Sequence, residues 1–368
     1  MPSIESTPSA DGFRMPGEFE RQEAVWLVWP EAPDWRLEGE PAKEVFAELA
    51  AAIAGDISVR LGVTASQAAK ARSMVTGSVE VVELTAGTGW IRDDGPTFLI
   101  DDGGARRGVD WDFNIWGYAG QSRFSKNFTS YLMNDANEAA QRLLEHEGAD
   151  CYRAPLVLEG GSIHSDGLGT VITTEECLLN PNRNPNLEKE EIEEYLKSYL
   201  GAKKIIWLPL GVYMDVTSGH VDNMCCFVRP SEVILTWTDD PNDEQYERSH
   251  QALEILEAST DASGAHFTIH KLHQPGPLYY TDEEIASFPY AEEIVEESEL
   301  RLAGSYVNYI LTNRRVIFPL LDPEYDRNAS EILARVFPEH EVIGLESREI
   351  LLHGGDLHCI SQQLPARA

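Results

Sequence analysis

Hydrophobic and polar positions along this chain switch repeatedly between two periods. A short apolar run is followed by a stretch with three- to four-residue spacing, then by another short run. Residues 24–30 (Ala-Val-Trp-Leu-Val-Trp-Pro) form a continuous apolar run stopped by Pro30, as expected of a buried strand. From Pro41 to Ala54 the apolar positions Val45, Phe46, Leu49, Ala50 and Ile53 share one helix face. Pro41 falls in the first turn and Gly55 lies just past the end. Strands are predicted at 57–63 and 79–84 around a short helix at 65–74. Further on, a strand from Thr97 turns at Asp101-Asp102-Gly103-Gly104 and pairs back over 107–113. Helices follow at 128–146, 187–200, 245–256 and 330–337. Strands fall at 156–158, 169–173, 204–208, 224–228, 233–237, 267–272 and 342–345, with a hairpin over 305–312 and 316–320.

The unit of strands plus one helix therefore recurs about five times, and its strand pairs tend to begin at polar, glycine-bearing loops. No linker or low-complexity segment divides the chain. A flexible tail is expected over 1–12 and a single α/β domain over 13–368. Strands converging from several units would gather their loops around one pocket.

The 368 residues carry 62 acids against 29 bases, a net charge of −33. That balance argues against nucleic acid and against an anionic membrane surface as partners. It fits a soluble protein with a small cationic substrate, although the same acids also serve as an ordinary solvated surface. Five cysteines form no framework, which points to a reducing compartment, the cytoplasm. No apolar window is long enough to span a membrane, and the start of the chain lacks a signal-peptide pattern. A homo-oligomer is left open.

Four stretches concentrate the chemistry. The first is Leu351-Leu352-His353-Gly354-Gly355-Asp356-Leu357-His358-Cys359-Ile360, where Cys359 alone among the cysteines sits in a glycine-rich polar loop. A thiol becomes a useful nucleophile when a base or cation favours its thiolate. Cys225 and Cys226 read as core, and Cys151 and Cys177 as inert. The second stretch is Gly219-His220-Val221-Asp222-Asn223. On a strand His220 and Asp222 would face the same way, either to move a proton and hold a cation or to make a structural pair. The third is Trp90-Ile91-Arg92-Asp93-Asp94-Gly95-Pro96, whose acids either close a turn on Arg92 or aim at a cation beside the Trp90 ring. The fourth, Leu158-Glu159-Gly160-Gly161-Ser162-Ile163-His164, repeats the Gly-Gly-x-x-His shape. Read as one site, three carboxylates, a histidine and a thiol suit a guanidinium with its several N–H donors. His266, His270 and His273 cluster in sequence but lack the spacing of a metal motif, and there is no phosphate-binding glycine loop.

Together with Phe13-Arg14-Met15-Pro16-Gly17-Glu18-Phe19-Glu20, Gly108 to Gly117 and Thr173 to Asn180, these stretches closely resemble the agmatine deiminases, relatives of the bacterial peptidylarginine deiminases. The resemblance covers residues 13–365. It implies a five-fold pseudosymmetric α/β propeller, the guanidine-modifying (pentein) fold. It also implies hydrolysis of agmatine to N-carbamoylputrescine and ammonia, a step of putrescine biosynthesis, with no cofactor and no metal. By motif, Cys359 would attack the guanidinium carbon and His220 would serve as acid and base. Asp93, Asp222 and Glu159 would hold the substrate, with Trp90 and Gly355 beside it.

Departures from the family pattern fall on the expected tail pocket. They are Gly87-Thr88-Gly89 before Trp90, Tyr118 to Phe124 after Trp116, and Val216 where an acid commonly stands, with Asp215 one step away. Another guanidino compound, free or modified arginine included, is the alternative substrate, and Arg123 could receive its carboxylate. An amidinotransferase and a non-catalytic guanidinium binder on the same fold are further alternatives.

Overall fold

A computed structural model describes residues 4–31, 35–84, 87–118, 126–289 and 301–367, with 126–136 described by backbone alone. Arg123 and the stretch 119–124 lie outside the described residues. Five sheets share one plan. In each, a first strand pairs antiparallel with a second, and the second pairs parallel with a third that is reached through a helix. The second unit uses Thr97–Ile100, Arg106–Asp112 and Asp150–Val157 around helix Lys126–Glu147. The third uses Ile163–Ser165, Thr170–Thr174 and Lys204–Leu208 around Lys189–Leu200. The fourth uses Cys225–Arg229, Glu232–Trp237 and Thr268–His273 around Gln245–Ala258. The fifth uses Ile310–Leu311, Arg315–Leu320 and Glu341–Glu346 around Asp326–Val336.

The first unit is assembled from both ends of the chain. Its middle strand Gln22–Val28 runs parallel to Ser58–Val63 across helix Glu40–Ala54, while its antiparallel partner is the last strand, Ser361–Pro365. The register sets Ala24 against Leu364 and Leu27 against Ser361. Val79–Glu83 adds a fourth strand at the edge. The result is a five-fold pseudosymmetric α/β propeller, with each parallel crossover made by a helix because that connection needs a dozen residues or more.

Packing follows from burial on both faces of the middle strands. Gln22–Val28 is buried at six of its seven positions, which explains a continuous apolar run instead of alternation. Phe46, Leu49, Ala50 and Ile53 of the first helix close over Leu27, Val59 and Leu61 and reach Ile317 and Leu345 of the fifth unit. Adjacent units thus share core.

Three local expectations change. The cysteine loop does not close the chain, because the mixed run Ser361-Gln362-Gln363-Leu364-Pro365 becomes a buried strand once Gln22–Val28 offers it a ladder. His220 and Asp222 do not sit on a strand: Val221–Met224 is one helical turn with His220 at its N-terminal boundary. Residues 4–12, expected as a tail, lie against the body. The Ile4 N–H donates to the Cys151 carbonyl at 3.2 Å, and Asp11 accepts from the Tyr152 hydroxyl at 2.7 Å and from Arg107 at 2.9 Å. The segment is held there because Asp11, one of its two acids, meets partners on the second unit.

Leu27→Ala tests the shared core. The side chain is fully buried between units, so truncation should cost about 2–5 kcal/mol. Chemical denaturation should report this as a lower midpoint, and an unchanged midpoint would contradict the packing described.

Candidate active site

The segment leading into the first strand of each unit points to one place. The helical turn Ile91–Asp94 before Thr97–Ile100 carries Asp93, and the turn Gly160–Ser162 before Ile163–Ser165 follows Glu159. Val221–Met224 before Cys225–Arg229 carries His220 and Asp222. The approach to Ile310–Leu311 carries Asn308, and the approach to Ser361–Pro365 carries Cys359. Five units thus deliver five equivalent segments, and the pseudosymmetry makes them meet.

Gly161 marks the meeting point. A methyl group on it would stand 2.5 Å from His220 Nδ1, 2.9 Å from Asp93 Oδ1 and 3.0 Å from Asp222 Oδ2. Only a glycine lets the backbone lie this close. The Gly161 N–H donates to Asp93 Oδ1 at 3.0 Å, and the Trp116 indole N–H donates to Oδ2 at 2.8 Å. His220 Nδ1 lies 3.8 Å from Asp93, and Nε2 lies 3.6 Å from Glu159. Glu159 is pinned by Arg183 at 2.6 Å, and Arg183 also donates to the carbonyls of Trp116 and Thr217. Cys359 Sγ lies 3.7 Å from Asp222 Oδ2 and 3.3 Å from the Asn308 amide nitrogen. Gly355 backs the same sulfur: a methyl there would stand 2.4 Å from the Trp90 ring and 3.1 Å from Cys359 Cβ. Trp90 in turn stacks on Trp35, with ring centroids 5.1 Å apart.

Nearly all of these groups are buried, so charge balance decides their protonation. Burial lifts the Cys359 thiol well above its ordinary value, and the negative charges of Asp222 and Asp93 lift it further. Burial likewise raises Asp93 to about 6; Asp222 and Glu159 add to the rise while His220 opposes it. Burial would lower the His220 imidazole, but Asp93, Cys177 and Glu159 outweigh it and hold the ring well above the usual histidine range. Glu159 is held low against burial by Arg183. Asp222 is held low against burial by His358. Among the described residues, several buried atoms here have no hydrogen-bond partner: Glu159 Oε2, Asp222 Oδ1 and both ring nitrogens of His220, whose nearest carboxylates stand beyond hydrogen-bond distance. Such orphans are costly unless a ligand uses them.

The structure therefore brings Cys359, His220, Asp93, Asp222, Glu159, Trp90 and Gly355 together, and adds residues that sequence reading did not single out. Asn308 falls inside the expected hairpin strand 305–312; the five-fold recurrence is the signal that a fifth loop contributes. Arg183 and Trp116 act through long-range contacts that no spacing betrays. Cys177, read as inert, is a neighbour of His220: the ligand atoms of Glu159, Cys177 and His220 all lie within 4.8 Å of one another. Its thiol is pushed up by burial. His164 lies outside this cluster, on the far side of His358. The sequence cluster His266, His270 and His273 is not gathered as a site; His270 meets Glu232 and His273 meets Asp239. Asp215 spends its oxygens on the Thr217 N–H and hydroxyl, the His220 N–H and the Asn223 amide.

The sequence profile of the Porphyromonas-type peptidyl-arginine deiminases matches residues 14–365. The chain belongs to this family. A Shewanella baltica protein named provisionally as an agmatine deiminase is 50% identical over 365 residues, 99% of this chain and 97% of that protein. Agmatine deiminase of Enterococcus faecalis superposes with a TM-score of 0.93 at 39% identity, covering all of both chains. A substrate-bound cysteine-to-serine variant of C. jejuni agmatine deiminase superposes at 0.82 with 27% identity, over 96% of this chain and 97% of the other.

Gly161→Ala should separate the site from the fold. The added methyl must displace His220 or Asp93, and a displacement near 1 Å costs about 10²-fold in turnover. Steady-state assay and thermal melting together check this; full activity would show that Gly161 does not border the reacting atoms.

Proposed function

We propose that this protein is an agmatine deiminase, hydrolysing the guanidinium of agmatine to a ureido group and ammonia through a covalent intermediate on Cys359. The observation that carries the reading is the convergence of Cys359, His220, Asp93 and Asp222 beside Gly161, with buried oxygens of Glu159 and Asp222 left for a cation with several N–H groups. The agmatine deiminases among the family relatives support the substrate.

The chemistry follows from charge. A guanidinium is a poor electrophile because resonance spreads its charge, so it must be held and oriented. Asp93 and Asp222 grip its nitrogens, with Glu159 helping to orient them. Its positive charge offsets the two carboxylates that keep Cys359 protonated, so the thiol loses its proton to solvent as substrate binds. The thiolate attacks the central carbon, forming the C–S bond. The C–N bond to one terminal nitrogen breaks as His220 donates a proton, and ammonia leaves. The neutral imidazole then takes a proton from water and the resulting hydroxide adds to the carbon; the C–S bond breaks as the added hydroxyl gives up its proton to the departing sulfur, which releases the neutral ureido product and restores the resting thiol. With all five cysteines free, the reading places this work in the cytoplasm.

A second reading concerns the far end of the substrate. Val216 packs against Gly354, next to the glycine that backs Cys359, and is 44% exposed. It brings no charge to meet an ammonium, and Asp215 is engaged elsewhere. That favours a guanidino compound with a different tail.

Three measurements test these readings. Agmatine, arginine, N-methylated arginines and guanidinobutyrate would be assayed for ammonia and ureido product. Product from agmatine that falls at least about 10³-fold in Cys359→Ala and about 10²–10⁴-fold in His220→Asn is expected. Turnover of a carboxylate-bearing guanidine alone would move the substrate, and silence on all of them with no adduct on Cys359 would sink the hydrolase reading. The pH profile follows from Asp93. Its carboxyl titrates at about 6 in the free protein, so kcat/KM should decline as pH falls through that value. Asp93→Asn should abolish that limb along with most of the activity. Asn308→Asp would set a carboxylate against the Cys359 sulfur; iodoacetamide should then alkylate Cys359 about tenfold more slowly, because less thiolate is present.

A further inference from the structure

The reaction as written leaves a buried group of charges without a role. It lies behind Asp222 and consists of His358, Glu18, Arg92 and His164, all nearly inaccessible to solvent. We propose that His358, clamped between Glu18 and Asp222, is a positioning residue that fixes the Asp222 carboxylate toward the substrate's guanidinium. The inference rests on the proposed grip of Asp222 on that guanidinium and adds the machinery that holds the grip in place.

The geometry is specific. His358 Nδ1 lies 2.8 Å from Asp222 Oδ2, and Nε2 lies 2.8 Å from Glu18 Oε1. An ionised carboxylate only accepts, so a ring facing one on each side must donate from both nitrogens and carry a positive charge. The main chain of His358 is fixed as well. Its N–H donates to Asn308 Oδ1 at 3.0 Å, and its carbonyl accepts from Arg92 Nε at 3.4 Å. Arg92 also donates to Glu18 Oε1 at 3.1 Å, so Glu18 stays ionised between two cations. The stacked His164 ring, 6.3 Å away, is neutral at physiological pH: burial lowers it to about 4, and its Nδ1 accepts the Phe227 N–H at 3.2 Å. The charged groups facing His358 are therefore Glu18, Asp222 and Arg92.

The consequence falls on Asp222. Its Oδ2 is held by the imidazolium, so rotation of the carboxylate is prevented, while Oδ1 is buried with no hydrogen-bond partner among the described residues. The oxygen that His358 holds is also the one that borders the site: Oδ2 lies 3.7 Å from Cys359 Sγ and would stand 3.0 Å from a methyl on Gly161. The arrangement also gives a purpose to Glu18 in the Phe13–Glu20 segment: a residue near the start of the chain supports a carboxylate more than 200 positions later.

Two substitutions divide the ring's contacts. In His358→Asn the side-chain amide nitrogen can take the place of Nδ1 and still donate to Asp222. In His358→Gln the amide reaches toward Glu18 and abandons Asp222. Agmatine kinetics would be measured for both, and for Asp222→Asn. The expected result is a KM raised about tenfold or more in His358→Gln and in Asp222→Asn, with His358→Asn within roughly threefold of the parent. Equal effects of Asn and Gln, with Asp222→Asn impaired, would overturn the positioning role alone. An unchanged KM in Asp222→Asn would overturn the grip of Asp222 and the inference with it. A measurement that leaves His358 in place covers variants that fail to fold. In ¹⁵N-histidine-labelled His220→Asn protein, one solvent-shielded ring should remain doubly protonated at about pH 8; finding none would overturn the proposal.

Discussion

Everything at the centre of this protein depends on keeping several carboxylates ionised where water is largely excluded. An unpaired buried carboxylate is expensive, so each must be answered by a cation or by N–H donors. Glu159 has Arg183, and Asp222 has the His358 imidazolium, itself backed by Glu18 and Arg92. Asp93 has two N–H donors and, at 3.8 Å, only the shared His220. It is accordingly the site carboxylate raised to about 6. The least compensated acid stands where a substrate cation would enter, so substrate charge and protein charge complete one another.

The same balance explains a thiol that is protonated at rest. Cys359 faces Asp222 and Asp93, and its protein donors are the Asn308 amide and the Asp356 backbone N–H. A thiolate in that company would be disfavoured until a cation arrives, so the proposed mechanism ties activation of the thiol to binding. Family membership and the match to agmatine deiminase structures agree with a guanidinium as that cation. The distal end of the substrate is governed by different residues, and Val216 with the engaged Asp215 leaves it the most distinctive part of this chain.

Five-fold recurrence is the means by which distant residues reach one centre. Each unit alone offers a segment with one or two polar side chains, and none could bind or react by itself. The first unit is completed only when Ser361–Pro365 pairs with Gln22–Val28, and this pairing follows Cys359 by two residues. Closure of the ring and placement of Cys359 are thus one structural event. Glu18 adds a second tie between the chain's ends through His358.

The sequence by itself determined the fold class and most of the groups that the fold gathers at the candidate site. Alternation between continuous apolar runs and helical spacing is a local property, and so are the glycine-rich loops around Cys359, Glu159 and His220. Those features survive in the structure because burial of middle strands and close backbone approach at glycine are written into neighbouring residues. Tertiary structure alone decided the rest. Ser361–Pro365 is too mixed in polarity to declare itself a strand, and becomes one because a partner edge lies open to it. His220 and Asp222 suggested strand alternation, but a helical turn satisfies the chain better once Asp215 accepts the His220 N–H. Asn308, Arg183, Glu18 and His358 owe their roles to contacts across 24 to 340 positions. Electrostatic partnership of that range depends on distance in space and on exclusion of water, and neither is a property of residues read in order.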